Sequence, residues 1–216
     1  MGSNSYDLAI FDNDGVLVDS EPLACRIISE LLCDWGYDTT PERCFADFQG
    51  GTFERLAEII GGRTGRPLPN DFYARYQAIL FQRFRQELEV VPGIREALER
   101  IPLSKCVASS ASLEKVKTAL EVADLLEFFG ENYFSAQEVG RSKPAPDVFL
   151  FAAERMGVDP SRACVIEDSR LGVEAANAAG MTCFAFAART PREQLKPGRG
   201  EIFNSMDELP ALLGCV

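Results

Sequence analysis

The sequence predicts an α/β protein: a parallel sheet with helices on both faces, carrying an all-helical unit inserted after the first strand. Two observations carry this expectation. Apolar, strand-like runs recur at residues 6–11, 106–109, 132–135, 163–166 and 182–187, and each is separated from the next by a segment of helical spacing, the pattern of parallel strands joined by crossover helices. The interval between the first two runs is far too long for one crossover helix, so it must hold a unit of its own.

Taken in order, the first run ends in Asp12-Asn13-Asp14-Gly15 and continues to Asp19-Ser20. The long interval reads as helices over about 21–35, 41–47, 52–61 and 69–87, broken at Gly36, Pro41, Gly50-Gly51 and Gly61-Gly62. Residues 1–18 with 91–216 are therefore expected to form the α/β core and residues 19–90 the insert, with hinges near 18–20 and 89–92. Asp19 and Ser20 read as a helix cap and hinge ahead of Glu21-Pro22. Trp35 and the phenylalanines read as core, and Arg75, Arg83 and Arg85 as the solvated face of a helix that also carries Tyr76, Leu80 and Phe84. The second run closes on Ser109-Ser110 before a helix beginning near Ser112. Two prolines stiffen the loop around Lys143 ahead of a helix starting near Pro146. The run at 163–166 leads into Glu167-Asp168-Ser169 and an alanine-rich helix closed by Gly180. Gly198-Arg199-Gly200 reads as a turn.

Composition narrows the function. A net charge of −11 argues against nucleic acid and anionic membranes as partners, while leaving room for a small anionic substrate held by a few local cations. No stretch reaches the roughly 18 apolar residues a membrane span needs, and the polar N-terminus lacks a signal-peptide layout, so a cytoplasmic protein is expected. Seven cysteines, an odd number with no CxxC spacing, read as buried free thiols. There is no histidine. Serine–histidine triads, cysteine–histidine pairs and histidine-ligated zinc are thereby excluded, and acid–base work must fall to carboxylates, Lys, Cys or Tyr.

The chemistry-bearing residues gather where an open parallel sheet binds ligands, at the carboxyl ends of its strands. Asp12 and Asp14, two apart on extended chain, can face one pocket while Asn13 faces elsewhere. Two carboxylates this close repel each other unless a cation compensates. Glu167-Asp168 ends a neighbouring strand, and an all-oxygen set without His or Cys suits Mg²⁺. Ser109, Ser110 and Lys143 are candidates for binding phosphate, the serines just before a helix N-terminus. Metal, hydroxyl, helix N-terminus and fixed cation together describe phosphoryl transfer.

These four motifs, in this order, resemble those of the haloacid dehalogenase-like hydrolases. Asp12-Asn13-Asp14-Gly15, the DGVLVDSE run, the Lys143-Pro144 motif and the EDSRLGVEAANAAGM run are similar to the subgroup of sugar-phosphate phosphatases and β-phosphoglucomutases, and the resemblance spans essentially the whole chain. It implies a Rossmann-like core with a mobile helical cap. It also implies that Asp12 is the nucleophile that becomes an aspartyl phosphate and that Asp14 is the acid/base. Ser109, with Ser110 beside it, and Lys143 would hold the transferring group. Asp12, the Asp14 carbonyl, Asp168 and, through water, Glu167 would hold Mg²⁺. In the cap, Gln49, Gly50 and Arg55 sit where the family places a substrate-reading loop.

The function expected is a Mg²⁺-dependent phosphatase of a sugar phosphate or phosphosugar acid, a monomer or weak dimer. Asp14 argues against a dehalogenase, and the absence of lysine from residues 21–90 argues against the phosphonate-cleaving branch. A β-phosphoglucomutase-type phosphomutase stays open as an alternative, although Ala24 stands where such enzymes carry a histidine. So does a non-catalytic phosphometabolite-binding protein on the same fold.

Overall fold

A computed structural model describes residues 6–48 and 53–215. Its strands are β1 (Leu8–Phe11), β2 (Val18–Asp19), β3 (Glu89–Val90), β4 (Ser104–Ser109), β5 (Tyr133–Ser135), β6 (Ala163–Glu167), β7 (Thr182–Phe186) and β8 (Ile202–Phe203). The helices between β2 and β3 are α1 (Glu21–Asp34), α2 (Pro41–Phe48), α3 (Phe53–Thr64) and α4 (Phe72–Glu87). The rest are α5 (Ile94–Arg100), α6 (Leu113–Val122), α7 (Leu126–Phe129), α8 (Ala136–Val139), α9 (Asp147–Arg155), α10 (Arg170–Ala178) and α11 (Leu209–Leu212). Contacts divide the chain into two units, one made of the chain up to Val18 together with the chain from Glu89 onward, the other of Asp19–Leu88.

The first unit is a six-stranded sheet in the order β5-β4-β1-β6-β7-β8, with each pairing parallel. β1 is central and fully buried along its length, which is why its sequence is a continuous apolar run rather than an alternating one. Leu8 and Ile10 point to a face covered by Val148, Phe149 and Ala152 of α9 and by Val173 and Ala176 of α10. Phe11 points to the other, where its ring meets Phe129 of α7 edge-on, with centroids 5.8 Å apart. Burial of each such side chain contributes roughly 1.5–3 kcal/mol, so β1 is anchored before its polar C-terminal residues are considered.

The all-helical unit has its own buried residues, among them Leu31 and Leu32 of α1, Ile60 of α3 and Leu80 and Phe84 of α4. Arg83, on the polar side of α4, grips Glu30 of α1 with its two terminal guanidinium nitrogens, at 2.9 and 2.6 Å. Trp35 departs from expectation. It is half-buried rather than core, and the Arg66 guanidinium lies over its ring at 4.0 Å while donating to its carbonyl at 2.9 Å. Ser20 occupies the N-cap of α1, yet no side-chain cap bond is made there among the described residues. No disulfide joins any of the seven cysteines, and five are buried; Cys33 is exposed. The stretch around Gly198–Gly200 is more than a turn, because it feeds β8: the Cys183 amide donates to the Arg199 carbonyl, so close that a Cβ at Gly200 would lie 2.0 Å from the Cys183 oxygen. No described helix is long and apolar enough to cross a membrane.

Candidate active site

Register places the polar strand ends together. Phe11 stands opposite Val107 of β4 and Ile166 of β6, so Asp12, Ser109 and Glu167-Asp168 all emerge at one edge of the sheet. The Asp12 amide is still held by the Ile166 carbonyl at 2.9 Å. The chain then turns back, with the Leu17 and Val18 amides donating to the Asn13 carbonyl and the Gly15 amide to that of Val18. Gly15 makes this possible in two ways. Its φ of +85° is left-handed, and a Cβ there would sit 2.0 Å from Asp168 Oδ2.

Lys143 is the electrostatic centre. Its ammonium donates to Asp12 Oδ1 at 2.8 Å, Glu167 Oε1 at 2.7 Å and the Ala108 carbonyl at 3.1 Å, which uses all three of its protons. The Phe149 ring of α9 lies 4.7 Å away and adds a cation–π contact. Burial works against this charge, but Asp12 and Glu167 outweigh it and hold the pKa above the ordinary lysine value. Asp12 is pushed up to about 7, first by burial, with the charges of Glu167 and Asp14 adding to it and Lys143 opposing. Two carboxylates bonded to one ammonium, Asp12 and Glu167, leave surplus negative charge, which a proton or a bound cation can relieve.

Glu167 is fully buried and doubly engaged. While Oε1 receives Lys143, Oε2 accepts from the Ser169 amide at 2.8 Å and the Ser169 hydroxyl at 2.9 Å. Ser169 in turn caps α10 by accepting from the Gly172 amide. A Cβ at Gly172 would fall 1.8 Å from Glu167 Oε1, so this helix keeps a glycine where the carboxylate folds against it. Gly180, at φ +72°, ends the same helix as expected, with Met181 donating back to Ala176. Ser109 is buried at the end of β4 and its hydroxyl accepts from the Ala111 amide at 3.0 Å, whereas Ser110 is exposed.

Asp12, Glu167 and Asp168 each offer a carboxylate oxygen within 4.8 Å of the others, and all three are buried. An all-oxygen donor set carrying surplus negative charge, with a glycine leaving room beside it, fits a hard divalent cation. Asp14, half-buried and near enough to Asp12 to act on its charge, pairs with Lys115 Nζ of α6 at 2.9 Å. Of the remaining expected residues, Gln49 and Gly50 lie outside the described residues, and Arg55 is exposed on α3, 3.4 Å from Glu58. Sequence reasoning missed Lys115, Phe149 and Gly172. Only Lys115 left a signal, as a cation in a first helical turn, where anions are favoured.

Comparison with known proteins decides the family. A profile described as haloacid dehalogenase-like hydrolase matches residues 9–186, spanning every strand that contributes to this edge. The chain is a haloacid dehalogenase-like hydrolase. The hydrolase is similar to the 6-phosphogluconate phosphatase of Escherichia coli K12, at 28% identity over 95% of this chain and 94% of the other. It is also similar to hexitol phosphatase B of the same organism, at 30% identity over 88% and 86%. Among solved structures, CbbY from Rhodobacter sphaeroides in complex with phosphate superposes with a TM-score of 0.84 and 25% identity, covering 97% of this chain and 99% of that one. The hydrolase is accordingly a phosphoric monoester hydrolase on a Rossmann-like core.

Proposed function

We propose that this hydrolase is a Mg²⁺-dependent phosphatase that acts on a sugar phosphate or phosphosugar acid through an aspartyl phosphate on Asp12, in the cytoplasm. The observation that carries the reading is the position of Asp12: buried, clamped by Lys143 on one oxygen and flanked by the acids of a cation site. Relatives named for 6-phosphogluconate and hexitol phosphates support the substrate class.

An Asp12 carboxylate oxygen attacks phosphorus, forming an O–P bond as the bond to the sugar oxygen breaks. Asp14 gives its proton to that leaving oxygen and then takes one from the water that attacks the aspartyl phosphate, which returns Asp12 and releases phosphate. Lys143, already bonded to Asp12, faces the arriving negative charge, and Ser109 supplies a hydroxyl beside it, with Ser110 at the rim. Asp12, Asp168 and the Asp14 carbonyl would hold the Mg²⁺, with Glu167 behind them holding Lys143 and reaching the ion through water. When bound, the ion would neutralise charge on the transferring group. Residues 19–90 act as the cap that selects the substrate, with Gln49, Gly50 and Arg55 reading it.

Phosphate release from 6-phosphogluconate, hexitol phosphates, other sugar phosphates and nucleotides, with Mg²⁺ or with chelator, tests the reading. Native protein should release phosphate from one or a few sugar compounds only with the metal, and Asp12→Asn should lose at least about 10³-fold in kcat while still unfolding in a cooperative transition no lower than that of native protein. Substantial turnover by Asp12→Asn would sink the covalent assignment.

A further inference from the structure

Helix α6 is built unlike its neighbours at the turn nearest the site. Ser112 caps it by accepting from the Lys115 amide at 3.3 Å, which makes Lys115 the third helical residue. A glutamate at this position closes a capping box, and the chain makes two such boxes elsewhere, Ser135 with Glu138 and Ser205 with Glu208. At α6 a lysine takes that place. It forgoes the return bond to the cap and sets a positive charge against the positive end of the helix. Helix stability therefore does not account for it.

Its side chain shows what does. Lys115 Nζ lies 2.9 Å from Asp14 Oδ1, with the two side chains 20% and 22% exposed, so the pair is largely withdrawn from solvent. Asp14 follows β1 in a turn whose backbone is fixed by three amide bonds, and its carboxylate reaches from that turn to α6. The contact from α6, the helix that follows β4 in the chain, ties the Asp14 side chain to the segment after a second strand end of the same sheet. Asp14 also lies close enough to Asp12 for its charge to act on that group. We infer that Lys115 is a positioning residue, which holds the Asp14 carboxylate at the sheet edge near Asp12 through the half-buried ion pair between α6 and the β1 turn. This rests on the proposed acid/base role of Asp14.

A double-mutant cycle with p-nitrophenyl phosphate and saturating Mg²⁺ tests it, using the full chain as native, Lys115→Met, Asp14→Asn and both together. Lys115→Met should melt no lower than native protein, since it relieves a charge at the wrong helix end, while kcat falls about 10–100-fold and KM stays within about threefold. Lys115→Arg should recover much of the loss. In the Asp14→Asn background, Lys115→Met should change nothing further. A full additional loss there would overturn the proposal, as would a rise in KM with kcat unchanged, which would make Lys115 a substrate-binding cation. Native turnover by Asp14→Asn would instead remove the acid/base reading, and with it anything for Lys115 to position. A crystal structure of Lys115→Met with Asp14 unmoved would overturn the inference independently of activity.

Discussion

Asn13 sits between two carboxylates yet does none of their work. It is fully buried, and neither atom of its amide has a hydrogen-bond partner among the described residues. Its backbone carbonyl carries the turn, receiving Leu17 and Val18, so the side chain is dispensable for the local fold. An unsatisfied buried amide costs about 1–3 kcal/mol, and leucine is close to asparagine in size. Asn13→Leu should therefore raise the melting temperature by several degrees, given that about 1 kcal/mol moves a chain of this length by roughly 2–4 °C. Thermal denaturation checks this, and an unchanged or lower transition would mean that the amide has a partner after all. The place of Asp12 at the sheet edge was legible because it directly follows a buried apolar strand. The pairing of Asp14 with Lys115 was not, because it joins residues brought together only by the sheet order.

At the scale of elements, α10 shows how a helix can serve a buried carboxylate. Its cap Ser169 and its glycine at 172 both answer to Glu167, the first by hydrogen bonds and the second by leaving space. Gly172→Ala would ordinarily favour a helix by up to about 1 kcal/mol. Here the added methyl meets Glu167 Oε1, so the variant should lose about 1–3 kcal/mol and, by displacing the partner of Lys143, at least about tenfold in kcat. Paired melting and rate measurements decide it; a variant more stable than native and equally active would show that the carboxylate can move aside. Most elements could be read in advance, since strands buried on both faces are apolar runs and the helices carry their breaks as Gly and Pro. The exceptions are instructive. β8 has two residues and lies behind a glycine-rich polar stretch, so no periodicity announces it. Trp35 has an apolar side chain, but a guanidinium can cover an indole as well as a core can.

For the molecule as a whole, the charge cluster links stability to pH. Folded Asp12 titrates at about 7 against an ordinary value of 3.8, so the folded state holds a proton that the unfolded chain has already released. Without metal, the contribution from this group is complete below about pH 4 and is lost as pH rises to about 7. On the proposed role of Mg²⁺, the ion would offer the cluster its charge in place of the proton, so the rise in melting temperature on adding Mg²⁺ should be larger at pH 8 than at pH 5. Asp12→Asn should likewise stabilise the metal-free protein more at the higher pH. A metal shift that is equal at both pH values, or larger at pH 5, would contradict this.

The place of β1 in the sheet also bears on how the protein is made. β1 is translated well before its partners: Leu8 pairs with Ser104 and Ala163, and the second of these follows it only after a long stretch of chain has been made. At about 5–20 residues per second, that is a wait on the order of ten seconds for a strand that is apolar throughout. The intervening helices have contacts of their own and need no such delay. The helical insert can thus complete itself during synthesis, while the strand that carries Asp12 depends on what shelters it at the tunnel mouth.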